Sequence, residues 1–325
     1  MLSWGVWSAD NNGVVDAAVF PCLKELIILF CPNLVEVSLE KLPLLRVMTV
    51  KGCGHGVLTS LVHVASSLTK LILDDILGLT HEVWGGVMKY LREVKEVRIE
   101  CCSEIRYLWE SEAEAGGGQK LKSLSIRDWK KLKSMNELKF FIHLTSFRID
   151  ECPSLDSFPF PNQELPNLAS LTHLEIKNYT SLDASFPGGL WPPKLCSLTI
   201  GGLKKPMSEW GPQSFPTSLG YLHLYGGPYE DVTDFIRLSG LFPSSLTSLR
   251  IERFEKLESV STGLQHLTSL QHLSIVKCPK MMDLPEKLLP SLLSLEITES
   301  PNLKTKINIG GSYWPVVSLI PYLWG

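Results

Sequence analysis

Every 22 to 27 residues this chain returns to the same short phrase. It is clearest in LKELIILFCPNL (from Leu23), LTKLILDDILGL (Leu68), LKSLSIRDWKKL (Leu121), LTSFRIDECPSL (Leu144), LTHLEIKNYTSL (Leu171), LTSLRIERFEKL (Leu246), LQHLSIVKCPKM (Leu270) and LLSLEITESPNL (Leu292). Weaker copies start at Leu45, Val94, Leu195 and Leu219, which makes twelve. With the first Leu or Val taken as offset zero, +3 and +5 are apolar in all twelve. Ten of the +5 residues are Ile or Val, Val50, Ile99, Ile149 and Ile275 among them. β-Branching there favours a strand. An amphipathic helix would also want +4 apolar. That position is instead Thr49, Arg98, Ser125, Arg148, Glu175, Thr199, His223, Arg250, Ser274 or Glu296, and only Ile27 and Ile72 are greasy.

Each phrase therefore reads as a short strand with +3 and +5 facing inward and +2, +4 and +6 facing water. A lone strand of this kind cannot bury its apolar side, so the copies must stack on a shared core. Repeat length and pattern are those of leucine-rich repeats. Segments between strands, such as FPFPNQELPNL and FPGGLWPPKL, are too rich in Pro and Gly for long helices. The expected fold is α/β: a leucine-rich-repeat solenoid (horseshoe) with a parallel concave sheet of about twelve strands. Its convex loops should be mostly irregular, with a helical turn or two near Leu91 to Val94. Twelve strands at about 4.8 Å give a sheet on the order of 55 Å long. Residues 1–20 form a leader, poorly ordered or capping; 21–305 the repeat domain; 306–325 an aromatic, proline-bearing capping tail in which Trp314 and Trp324 should seal the open end of the core.

Cys31, Cys53, Cys102, Cys152 and Cys278 all fall at +8, a column that is Asn or Cys in such repeats. There the chain leaves the strand and a small thiol can turn inward, making a weak hydrogen bond to freed backbone. Trp129, Tyr179 and Phe254 occupy the same column as core substitutes. Without CxxC or a paired HxxxH set, zinc is not expected. HExxH, GxSxG and a dinucleotide-type glycine loop are also missing, so the expectation is no enzyme, no cofactor and no metal. A net charge of -3 offers no electrostatic reason for nucleic acid or membrane as partner. No apolar run suits a bilayer span or a secretory signal, which points to a cytoplasmic protein with reduced thiols. Reach into the nucleus or to membranes would come through partners.

Binding in a solenoid belongs to the concave strands, which hold residues at fixed spacing over a long surface. The candidate protein-binding residues are Arg98, Glu100, Arg127, Arg148, Asp150, Lys177, His223, Tyr225 and Arg250, centred on Arg98, Arg127 and Arg148. The competing reading of Glu100, Arg127, Asp150 and Lys177 is a cross-strand ladder of opposite charges, each pair stabilising the sheet by roughly 0.2–1 kcal/mol.

Taken together, the repeats resemble the C-terminal leucine-rich region of plant intracellular immune receptors of the coiled-coil, nucleotide-binding, leucine-rich-repeat type. The residues that carry the likeness are LTSLQHLSIVKCPKM (from Leu267), FPSSLTSLRIERFEKLESVSTGLQHLTSL (Phe242 to Leu270), LPEKLLPSLLSLEITESPNL (Leu284 to Leu303) and the ending YWPVVSLIPYLW (Tyr313 to Trp324). The resemblance implies a protein ligand, either a pathogen effector or a guarded host protein, and restraint of a nucleotide-binding switch domain supplied in cis or trans. No Walker A loop occurs; GGGQKLKS (Gly116 to Ser123) has glycines at the wrong spacing. The chain by itself is thus expected neither to bind nor to hydrolyse nucleotide. Three alternatives stand beside this one: a free-standing scaffold or inhibitor, a ubiquitin-ligase substrate adaptor, and the product of a decayed gene. Extracellular plant repeats carry LxGxIP, which is absent here, and the one sequon is Asn178-Tyr-Thr.

Overall fold

Thirteen strands, hydrogen-bonded in chain order, make one sheet in the computed structural model. It describes residues 20–39, 41–108, 120–135, 138, 141–155, 168–179, 191–210 and 214–325. The strands are β1 (Glu25–Leu29), β2 (Val47–Lys51), β3 (Lys70–Asp74), β4 (Glu96–Glu100), β5 (Ser123–Arg127), β6 (Ser146–Asp150) and β7 (His173–Tyr179). They continue as β8 (Ser197–Leu203), β9 (Tyr221–Tyr225), β10 (Ser248–Glu252), β11 (His272–Val276), β12 (Ser294–Thr298) and β13 (Tyr322–Trp324). Every pairing is parallel and keeps the repeat offsets level. Ile126, Ile149, Ile176 and Ile200 lie side by side, as do Ile251, Ile275 and Ile297. All seven are buried, and each contributes about 1.5–3 kcal/mol by leaving water. Twelve of the strands are the expected ones. The thirteenth comes from the tail, where Leu323 takes the +3 level beside Leu295.

Behind the early strands sit two helices, α1 (His55–Val62) and α2 (His81–Met88). Packed helices need 8–10 Å where neighbouring strands need about 4.8 Å, so the stack bends with the sheet on the inside. The expected helical turn near Leu91 to Val94 is displaced: helix forms upstream, and Leu91 to Val94 closes as a turn, Val94 N–H donating to Leu91 O at 3.2 Å. The pair Gly85-Gly86 argues against helix locally. Trp84, Val87 and Met88, spaced i, i+3 and i+4, override it by burying one face. Thr80 adds an N-cap, its Oγ1 accepting Val83 N–H at 3.4 Å. Trp84 also donates to Leu108 O at 2.9 Å and pins the convex side.

At +7 the backbone turns left-handed. Phe30, Asp75, Cys101, Asp128, Glu151, Asn178, Arg253, Lys277 and Glu299 have φ between 50 and 60°, and Gly52 and Gly202 follow at 58° and 63°. A non-glycine residue pays roughly 1–2 kcal/mol for this. The return is a pivot: +7 N–H reaches the +6 carbonyl of the next coil, as Phe30 N to Lys51 O at 2.7 Å and Lys277 N to Thr298 O at 2.9 Å. The +8 side chain is thereby thrown into the core. Each +8 thiol then donates to its own +6 carbonyl, Cys31 to Leu29, Cys53 to Lys51, Cys102 to Glu100, Cys152 to Asp150 and Cys278 to Val276, at 3.2 to 3.5 Å. Ser300 does the same to Thr298 O at 3.2 Å. Cys31, in the first coil, is only partly buried.

The two ends differ. Leu23, Ile28 and Leu34 of the first coil are only partly buried. At the other end Leu303, Ile307, Tyr313, Val317 and Ile320 are all buried. Trp314 packs against this core. Trp324 does not seal it. It is 53% exposed and stacks on Tyr322, with centroids 5.8 Å and planes 8° apart. Strand alternation explains the difference, since Tyr322 and Trp324 share levels with Ser294 and Glu296 on the outward face.

Candidate protein-binding face

The level register turns sequence columns into rows of neighbours. At +4 the outward row runs Arg98, Ser125, Arg148, Glu175, Thr199, His223, Arg250, Ser274, Glu296, Trp324. At +6 it runs Asp74, Glu100, Arg127, Asp150, Lys177, Gly201, Tyr225, Glu252, Val276 and Thr298. All nine candidate residues thus lie on one face, but they are not equally free.

Arg98 turns back on its own strand, Nε donating to Glu100 at 2.7 Å. Arg127 reaches forward to Glu151 at 3.4 Å and stands 3.9 Å from Asp150. Asp150, expected to face water, is 4% exposed. It is enclosed because Asn178 Nδ2 donates to it at 2.8 Å and Lys177 Nζ lies 3.8 Å away. Of the proposed ladder, then, Arg127, Asp150 and Lys177 form a chain of contacts, while Glu100 turns to Arg98. The same Asn178 is the sequon residue; its amide is already committed and its backbone is left-handed.

A second, larger network runs from β6 to β12. Arg148 meets Glu175 at 3.2 Å, and Glu175 holds Lys177 at 2.7 Å. Three strands beyond β7, Arg250 Nε donates to Glu252 at 3.1 Å. Its Nη1 donates to Ser274 Oγ at 3.0 Å and to Glu296 at 3.1 Å. Ser274 Oγ donates to Glu296 at 2.6 Å. Between the two halves stands β9, YLHLY, which puts three rings outward: Tyr221, His223 and Tyr225. Glu175, Glu252, Glu296 and Tyr221 were missed as candidates although their offsets placed them on this face. Arg253 was missed for a better reason: only the left-handed turn at +7 swings it toward the face.

His223 Nε2 lies 3.1 Å from Glu252, off the direction that a hydrogen bond needs, so it has no directed partner. Burial pushes its pKa down to about 4, against the pull of Glu252 and with help from Arg250 and Lys177. Burial works against the Glu252 carboxylate too, but Arg250 outweighs it and holds that group below its usual range. The folded state therefore resists protonating His223, whereas the unfolded chain accepts a proton near 6.5. Both states are neutral there above that value. As pH falls from about 6.5 to about 4, the unfolded state takes the proton first and stability drops. A His223→Gln variant should lose less melting temperature than the wild type between pH 7.5 and pH 5. Equal losses in the two proteins would refute this assignment.

The +8 thiols are poor chemistry. Burial raises Cys102 and Cys152 to about 12 and Cys278 to about 11, so they stay protonated at neutral pH, unlike a nucleophile or metal ligand. No group of His, Cys, Asp and Glu suited to a metal ion occurs among the described residues. Nor is any described helix long and apolar enough to cross a membrane.

Fold and register together define a leucine-rich-repeat solenoid with a polar, aromatic-bearing outward face. Its sequence relatives are plant disease resistance proteins. A putative disease resistance protein of Arabidopsis thaliana is 31% identical over 184 residues, covering 55% of this chain and 12% of that protein. The disease resistance protein RPS6 of the same plant is 24% identical over 231 residues, covering 62% of this chain and 19% of that protein. The chain thus spans only a small part of the length of either. No protein-family profile matches it. Among solved structures, a TLR13–ssRNA13 complex superimposes with a TM-score of 0.49 at 15% identity, covering 86% of this chain and 45% of that one. A Listeria monocytogenes internalin gives 0.41 at 14% identity, covering 93% and 80%. Both fits are too loose to carry an argument, and the fold rests on the strand register itself.

Proposed function

We propose that this chain is the sensing region of a plant intracellular immune receptor. Its concave face captures a protein ligand, a pathogen effector or a guarded host protein, and the captured state releases a nucleotide-binding switch domain that these residues do not include. The supporting observation is the alignment of Arg148, Lys177, His223, Tyr225 and Arg250 on one face across β6 to β10, beside relatives that are disease resistance proteins. Acting in the cytoplasm as a non-catalytic scaffold fits a surface made of ion pairs and rings. Exposed pairs of this kind add about 0–1 kcal/mol each to stability and contribute more to orienting a partner.

Charge reversal at Arg127 and Arg148, both well exposed, is expected to lower ligand capture at least about tenfold. It should also weaken co-precipitation with a nucleotide-binding domain of the same receptor class, with the melting temperature little changed. Capture and co-precipitation at wild-type levels in the double variant would contradict the proposal.

A further inference from the structure

One place on this face is built differently from the rest. At β8 the +6 residue is Gly201, so nothing stands between Lys177 on β7 and Tyr225 on β9. Lys177 Nζ leans over the vacant position to within 5.6 Å of the Tyr225 ring centroid. Arg253 closes from the other side, its guanidinium carbon also 5.6 Å from that centroid and its Nη1 donating to Tyr225 Oη at 2.7 Å. Two cations therefore flank one half-buried tyrosine, and the aromatic wall continues through His223, edge-on to Tyr225 with centroids 6.3 Å apart.

The cations differ in what they lack. Lys177 is matched by Glu175 and Asp150, as Arg148 and Arg250 are matched by Glu175, Glu252 and Glu296. Arg253 is exposed, and no carboxylate lies within ion-pair distance of it among the described residues. Its guanidinium is held in place by Tyr225 with other donors still open, the geometry that suits a carboxylate. A polyanion is disfavoured because Glu175, Glu252 and Glu296 line the same face; a single acidic side chain avoids most of that repulsion.

We propose that Tyr225, Arg253 and Lys177 form the anchor subsite of the concave face. The occupant is an extended segment of a partner protein that sets an acidic side chain on Arg253 and a neighbouring apolar or aromatic side chain over Gly201 against the Tyr225 ring. This rests on the proposed ligand-binding role of the face and names the chemistry of its occupant. Ser197 and Thr199, the other outward residues of β8, leave room for the segment to continue along the strand direction.

The test is peptide display on the whole chain, followed by affinity measurement of the enriched peptides as synthetic, fluorescent probes. Enriched sequences should carry Asp or Glu next to a Phe, Tyr, Leu or Pro. Arg253→Glu should weaken them at least about tenfold, Tyr225→Phe should weaken them several-fold by freeing the guanidinium, and Thr199→Trp should block them by filling the floor. A probe with Lys in place of its acidic residue should recover binding on Arg253→Glu, which a folding defect could not produce. Probes that ignore Arg253→Glu and Thr199→Trp but are lost on Arg148→Glu would overturn the subsite and leave the concave-face reading standing. Probes sensitive to neither set, or preferential capture of an oligoribonucleotide over any peptide, would overturn both.

Discussion

Replacing Gly201 with alanine is expected to cost about 3 kcal/mol or more, an unusually large price for one methyl group. Gly201 has φ 149°, which L side chains avoid, and an added Cβ would fall 1.7 Å from Tyr225 O. That atom is backbone of the adjacent strand and cannot swing aside. The coil must part from β9, and the damage should spread into Gly202 and Gly227, where a Cβ added to Gly227 would likewise fall 2.7 Å from Gly202 Cα. Gly85 in α2 supplies the control. An added Cβ there meets nothing within 4 Å, and Gly85→Ala should be neutral or stabilising by up to about 1 kcal/mol. Chemical denaturation of the two variants measures both; similar costs for the two would show that β8 and β9 are not packed as described.

The second large effect concerns the seam. Ile275 is fully buried at +5 between Ile251 and Ile297. Ile275→Asn removes that packing and buries an amide with no partner, which together should cost about 4 kcal/mol or more. Because each coil touches mainly its neighbours, the loss should first open β10 to β12 and leave earlier coils folded. The unfolding curve would then show two steps in place of one. His272, three residues earlier and exposed at +2, provides the contrast: His272→Ala should stay within about 0.5 kcal/mol. A single, unshifted transition for Ile275→Asn would sink the shared core.

Strand positions, their parallel stacking and the inward +3 and +5 columns were legible because a period of two inside a period of about 24 cannot be satisfied any other way. Which outward residues remain free for a partner was not legible. Asp150 and Lys177 sit in the same column, yet Asp150 is enclosed by Asn178 and Lys177 while Lys177 also reaches Tyr225. Offsets specify a level and a face but not a rotamer. The left-handed +7 position was hidden for another reason. Residues as unlike as Phe30, Cys101, Asn178 and Arg253 adopt it, because the inter-coil hydrogen bond, rather than local preference, imposes it. Arg253 entered the candidate site only through that turn. The helix α2 was obscured by its glycines, and Trp324 by the assumption that a terminal tryptophan must be core.

The outer face exists only if thirteen short strands alternate inward and outward along the chain. Hydrogen–deuterium exchange of the intact chain reads this most directly. The account predicts blocks of strongest protection about five residues long, returning every two dozen or so from Val47–Lys51 to Ser294–Thr298 and each extended by the +7 amide bonded to the next coil, with weaker protection in the other described segments except α1, α2 and Pro301–Ile307. Protection spread equally through the segments between strands, or missing from Ser123–Arg127 and His272–Val276, would contradict the solenoid and remove the face proposed to bind.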